Sequence, residues 1–543
     1  MSIASQWYSM ESDPLLLISP RRPGNLHRFV MTPVISAGDF VMPVSIIFSS
    51  RQTNVVTYRS PDQSFGQFLQ NPLNTFRVTP TYKWARGIIG SHVVSYSSLT
   101  TGDAKVFGAG FELTPGEWTI SAFAGTLRRA IEPDSLLRIP GTYARKFRAA
   151  RIGYGRDHGF HVYLNAAVMD DDAASIRVPP QPNPAAQGWP GAGFNLRPQQ
   201  GMAASLDTGI PLGSFILWKT EVAASVFTRD KRSSLVDSLS GSPIGWLTDL
   251  RQSSGTDFSA QSSLSLNRPV WGLTLRALYV GDGFVAPGFP YLQTDRFDVT
   301  LDPRFRLFDS KIIVQGSIGY RRNNLSETKS RTTSQLLASV DMNVQISSTA
   351  GFSLRYANFG MRTGFMLDTL RLEVVSKSLS FSPYLHLSAP AGTHRVQTSF
   401  SLDDYEDTNI LTGQQRDQQT FSLLLHYSYS LSGTPLSLET SVRHLKNNNP
   451  ELGLQNFMLQ GGGTYRFFQR KMQASLRVGY SSSRTGNFTP DNALVFRPGF
   501  RYQVTSRLTA SLGGSIRLYR YGSSRPDASF TENLFRTTVG YRF

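Results

Sequence analysis

The chain has 543 residues, of which 17% are charged, 12% aromatic and 40% hydrophobic. An average soluble domain carries roughly 25% charged residues, and so many aromatics with so few charges exclude a disordered chain. Lys and Arg number 55 against 38 Asp and Glu, a formal charge of +17 that calls for anionic partners or a basic lumen. Cysteine is absent, which excludes disulfides, thiolate chemistry and Cys-based metal sites.

The first residues, MSIASQWYSMESDPLLLIS, lack the basic start and continuous apolar stretch of a secretory leader, and the expectation is that a leader has been removed. The longest apolar run, residues 41–48, falls far short of the roughly 20 residues a membrane-spanning helix needs. From about residue 27 the pattern is instead period-two alternation. Tight connections are expected at 37–39, 84–87, 114–117, 156–159, 211–214, 267–272, 308–311, 347–351, 388–392, 432–435, 467–470 and 505–507. Longer polar stretches lie at 51–73, 129–141, 170–198, 230–255, 283–294, 405–417, 484–490 and 522–528.

The alternation is cleanest near the end. Met472, Ala474, Leu476, Val478 and Tyr480 oppose Lys471, Gln473, Ser475, Arg477 and Gly479, and Phe535, Thr537, Val539, Tyr541 and Phe543 oppose Arg536, Thr538, Gly540 and Arg542. A soluble sandwich alternates in the same way, so further features are needed to decide. The polar face repeats Arg, Lys, Gln, Ser and Gly strand after strand, and aromatics (Tyr465, Phe467, Tyr480, Tyr502, Tyr541) gather at strand ends. Short turns alternate with long loops. Together these predict an all-β fold: one large transmembrane antiparallel β-barrel spanning 1–543, with about 26 strands, short periplasmic turns and long extracellular loops, 170–198 and 230–255 among them. Several arms exceed the roughly 9–11 residues needed to span, and should project beyond the membrane.

The chain stops on TTVGYRF, in which Val539, Tyr541 and Phe543 share one face. This looks like the C-terminal assembly signal of bacterial outer-membrane proteins, and implies recognition by the barrel-assembly machinery. The stretches PRRPG at 20–24, RFVMTPVISAGDFVMPVSIIFSS, FGQFLQNPLNTFRVTPTYKW and VFGAGFELTPGEWTISAFAGTLRRA resemble a group of large, mostly uncharacterised outer-membrane barrel proteins from Bacteroidota and allied phyla. The resemblance covers residues 20–155. It implies an integral outer-membrane location, against lipid and lipopolysaccharide, and little about activity.

By parity, Arg466, Lys471, Arg477, Arg497, Arg501, Arg507, Arg517, Arg536 and Arg542 are expected to point inward. A basic lumen concentrates anions, so a channel or transporter for anionic or polar solutes is the leading expectation. The other is a structural or assembly component whose barrel is blocked by loops or a partner, with 170–198 and 51–73 as the inward-folding candidates. No enzyme is expected. His386 and His426 fall on the polar face beside serines, as lumen filler more readily than as a catalytic pair, and His158 and His161 lack any HExxH context. Asp170, Asp171 and Asp172, and likewise Asp403, Asp404, Glu406 and Asp407, read as charged loop edges without calcium-loop spacing. No cofactor or metal motif is present. Nucleic acid is not an expected partner, because the basic residues are dispersed.

Overall fold

The computed structural model describes all residues except 13–21, 23, 50–68, 70–73, 133–140, 177–195, 237–249, 290, 366–371, 408–416, 450–452, 523–528 and 543. The expected loops 51–73, 170–198 and 230–255 fall largely outside the described residues, and Phe543 falls wholly outside them. None of the described helices is long and apolar enough to cross a membrane.

Twenty-eight β-segments, numbered in chain order from β1 (Ser2–Ser12) to β28 (Phe530–Tyr541), form one sheet. Two strands are broken by proline. Asn25–Met31 (β2) and Val34–Ala37 (β3) flank Pro33, and both pair with Phe40–Ser49 (β4); Thr75–Val78 (β5) and Thr81–Tyr82 (β6) flank Pro80, and both pair with Ala85–Val94 (β7). Proline has no N–H for the ladder, so the pairing is interrupted where it sits. Counting each broken strand once gives 26 antiparallel strands. β1 also pairs with β28, from Ser2 opposite Gly540 to Ser12 opposite Phe530, and the sheet closes into a barrel.

Twelve short turns lie at one end of the barrel and the long connections at the other, as the loop rhythm predicts. One turn is displaced. The expected connection at 84–87 is made by Lys83 and Trp84, because Ala85, Arg86 and Gly87 already pair along β7. Two acidic stretches read as loop are strand ends instead. Asp170–Asp172 complete β11 (His161–Asp172), and Asp403–Asp407 complete β21 (Gly392–Asp407). Cation partners on neighbouring segments hold them there: Arg145 for Asp171, Lys231 for Asp170 and Lys377 for Glu406.

The two faces of the wall differ as the alternation requires. Ile3 pairs with Val539 and Trp7 with Phe535 on the outward face, which continues through Leu512, Leu476, Leu459 and Leu438. Near the short turns this face carries Tyr82, Trp84, Trp118, Tyr154, Trp218, Trp271, Tyr465, Tyr502 and Tyr541, all exposed. Such amphipathic rings suit the boundary between hydrocarbon and water. From β18 (Arg331–Gln345) to β22 (Gln418–Leu431) the strands are longest, and β20 (Leu372–Ala389) reaches 18 residues. They outrun the roughly 9–11 residues needed to span, and their surplus lies on the long-loop side.

Candidate functional site

The inward face is lined differently around the barrel. From β7 to β15 (Trp271–Val280) it is covered by two connections that fold back into the lumen, residues 95–103 and 281–295. Ile88, Val94, Tyr96, Val106, Phe123, Phe147 and Met169 bury one another beneath them, and Leu99, Ala223, Val280, Phe284 and Ala286 form a second apolar cluster. The two connections clasp each other: the Gly288 amide donates to the Thr100 carbonyl (3.0 Å), and Gly102 sits where a β-carbon would come within 2.7 Å of Phe289 Cβ.

Hydroxyl groups shape the 95–103 segment. Thr101 Oγ1 accepts from the Tyr96 amide (2.8 Å), and Ser97 Oγ accepts from the Leu99 amide (3.1 Å). The Ser97 hydroxyl in turn donates to Glu221 Oε1, and the second Glu221 oxygen accepts from Gln261 Nε2 (2.7 Å). Glu221 is 3% exposed. A buried carboxylate is tolerated only with its lone pairs satisfied, so these bonds pin the segment to the wall at this height. The polar line continues along the wall. Asn165 donates to Ser205 (3.2 Å), Arg151 donates to Asn165 Oδ1 (2.8 Å), and the Arg151 guanidinium lies 4.7 Å from the Tyr163 ring centre.

Beside this anchor is a cavity of about 440 Å³, lined on the lumen side by Ser97, Asp207, Lys219, Glu221, Gln261, Arg276 and Asp298. Its charges are largely matched: Asp298 receives both nitrogens of the Arg321 fork (2.9 and 3.0 Å), and Arg276 lies 3.3 Å from Asp302. At the outer end, Asp295 clips the 281–295 connection by accepting from Lys329 Nζ and the Ser326 amide, both at 2.9 Å. Burial favours the neutral acid, but the bonds from Lys329 and Ser326 prevail and hold its pKa below the ordinary carboxylate value.

The opposite wall carries the arginines singled out in the sequence. Strand registers put Arg466, Arg477, Arg497, Arg501, Arg517 and Arg536 at the alternate positions opposite the outward apolar ones. Lys471, Arg507 and Arg542 lie in turns or past the end of β28, beyond the reach of strand parity. Arg477 and Arg497 are direct cross-strand neighbours; Glu439 accepts from the first and Gln460 from the second (3.3 Å). Arg517 lies 3.8 Å from Glu532, and Arg536 donates to Gln6 (2.9 Å). Val539 and Tyr541 share the outward face of β28.

His386 and His426 stand apart from the serines beside them. His386 and His426 both point inward, but neither hydrogen-bonds a serine among the described residues, and Ser382 donates to Ser399 instead (2.9 Å). His161 is buried between strand and turn, with Nδ1 at 3.1 Å from the Gly159 carbonyl and its ring stacked on Tyr163. No group of three or more metal-ligating side chains is assembled among the described residues. The sequence reading missed the two lumenal connections. A signal was present in GFVAPGFPYL, an apolar run where an outward loop should be polar, and in the hydroxyl-rich SYSSLTT.

No family model matches the chain, and no curated protein matches it. Among solved structures, the chain is similar to the P pilus usher (PapC) translocation pore, at 11% identity over 100% of both chains and a TM-score of 0.43. It is also similar to OprD from Pseudomonas aeruginosa, at 9% identity over 70% of this chain and 91% of that one, TM-score 0.30. A third is OpdK from the same organism, at 9% identity over 63% and 92%, TM-score 0.29. The last two are outer membrane proteins. The fold assignment itself rests on the strand pairing.

Proposed function

We propose that the chain is an integral outer-membrane channel that passes anionic or small polar solutes along the basic wall of its lumen. One observation carries the reading. From β22 to β28 the inward face presents seven arginines (Arg443, Arg466, Arg477, Arg497, Arg501, Arg517, Arg536) against three carboxylates (Glu439, Asp491, Glu532). Guanidinium groups stay charged at any physiological pH, so this wall concentrates anions by focusing in a low-dielectric frame. The outward apolar face and its aromatic ring support residence in a bilayer, and the expected resemblance to the Bacteroidota barrels agrees with that address.

A second reading is a structural or assembly component with a blocked barrel. It is favoured by the packing of residues 95–103 and 281–295 inside the lumen. Planar-bilayer recording of the purified barrel separates the two. Stable anion-selective steps, reduced in selectivity when Arg477, Arg497 and Arg501 are replaced by Gln, support the channel. A folded but silent barrel supports the second reading.

A further inference from the structure

At the short-turn end of this wall, three arginines line one cavity, with no carboxylate side chain among its described lining residues. A cavity of about 470 Å³ is lined by Arg501, Arg507 and Arg542 together with Gln503, Ser506, Thr509, Ser511 and Thr538. The three guanidiniums make no hydrogen bond or ion pair among the described residues. The backbone fixes their relative positions. The Arg542 amide donates to the Arg507 carbonyl (2.7 Å), and Arg501 stands opposite Ser511, which stands opposite Thr538.

The cavity is continuous with a second one. A space of about 260 Å³ shares Arg501, Ser511 and Thr538 and adds Arg536 and the backbone of Gly499 and Gly513. A β-carbon on Gly513 would meet nothing within 4 Å, so the glycine leaves this space unfilled. Four arginines thus line the two adjoining spaces.

We infer that this cavity binds a dissolved oxyanion of two or more negative charges, of the phosphate or pyrophosphate class, at the short-turn mouth of the barrel. The planar fork of each arginine matches two oxygens of such a group, and the surrounding hydroxyls complete its hydrogen bonds. Three adjacent positive charges without a carboxylate leave a monoanion with repulsion uncompensated, whereas a multivalent ion neutralises them. Arg501 and Gln503 of β26 (Asp491–Gln503), Thr509 and Ser511 of β27 (Leu508–Arg520) and Thr538 of β28 stand at inward positions of the register, which favours a dissolved ligand reaching the cavity through the lumen over a lipid headgroup.

The site extends the conducting reading but is tested apart from it. The purified full chain in neutral detergent is titrated with inorganic pyrophosphate by calorimetry at low ionic strength. Saturable one-site binding is expected, weakened roughly tenfold or more by R501Q with R507Q and kept in R355Q, whose arginine pairs with Asp341 on a different part of the barrel. R542Q, beyond the last strand, leaves every ladder intact and is expected to weaken binding as well. Absent binding, binding indifferent to these changes, or equal affinity for acetate overturns the assignment. Anion-selective conductance without pyrophosphate binding removes this site and leaves the channel; binding by a silent barrel removes the channel and leaves this site.

Discussion

Pro498 Cγ lies 3.1 Å from where a β-carbon on Gly514 would stand, on the strand beside it. The same distance recurs between Pro303 and Gly316 and between Pro80 and Gly87. Each proline interrupts a ladder it cannot donate to, and the ring is accommodated by a residue with no side chain. In the Pro498 pair the ladder lapses at Arg497 and Pro498 and resumes at Gly499 opposite Gly513.

Filling that space is therefore expected to cost stability. Gly514→Val should destabilise the barrel by about 1–3 kcal/mol, the usual range for overpacking. Gly461→Val, where a β-carbon would meet nothing within 4 Å, should be close to neutral. Urea midpoints of the folded barrel in detergent check both. Equal midpoints for the two variants would refute the packing argument.

The anchor of the lumenal segment gives a second expectation. Ser97→Ala removes a hydroxyl donor from a buried carboxylate, a charge-assisted bond worth roughly 1.5–3 kcal/mol. The 95–103 segment should then detach from the wall more often. In bilayers this should appear as larger or noisier conductance steps, and in solution as faster proteolysis at 98–103.

The Asp295 clip predicts a pH dependence. Its folded pKa is lowered, so its stabilisation is complete above the unfolded carboxylate value and is lost as pH falls through the folded one. The 281–295 connection should become protease-sensitive only in acid, below about pH 4. Lys329→Met removes the principal donor, so cleavage should appear at neutral pH too. Acid-insensitive cleavage in the unaltered protein would contradict the clip.

Close packing at His161 supplies a fourth. A β-carbon on Gly209 would stand 2.2 Å from His161 Cε1. Gly209→Ala must expel the ring from its place on Tyr163, at an expected cost of about 1–3 kcal/mol. The thermal midpoint of that variant measures it.

The barrel was legible because lipid imposes one rule on every strand, an apolar residue outside and a polar one inside. That rule exposes Phe535, Val539 and Tyr541 as one face, and even the strand number follows from it. It also fixes which residues of β24 (Leu454–Phe467) through β28 alternate with the apolar ones. It says nothing of residues that leave the strand, such as Lys471, Arg507 and Arg542. Nor does it reveal which connection turns inward. That choice is made by contacts between distant segments, such as Ser97 with Glu221, which no local period records. The acidic ends of β11 and β21 were misread for a related reason: carboxylates suggest a loop until their cross-strand cations are known.

The β1–β28 ladder, in which the Met1 amine and the Tyr541 carbonyl meet across 540 positions, has a kinetic consequence. Every other ladder joins neighbours in sequence and can zip as soon as its hairpin exists. This one has no hairpin behind it, and its loop-closure entropy must be met after the rest is in place. Until then the molecule is a curled ribbon with two naked borders, and each border is a template for a foreign strand. The stage most exposed to error is thus the last one, when both borders must find each other before any foreign strand finds them.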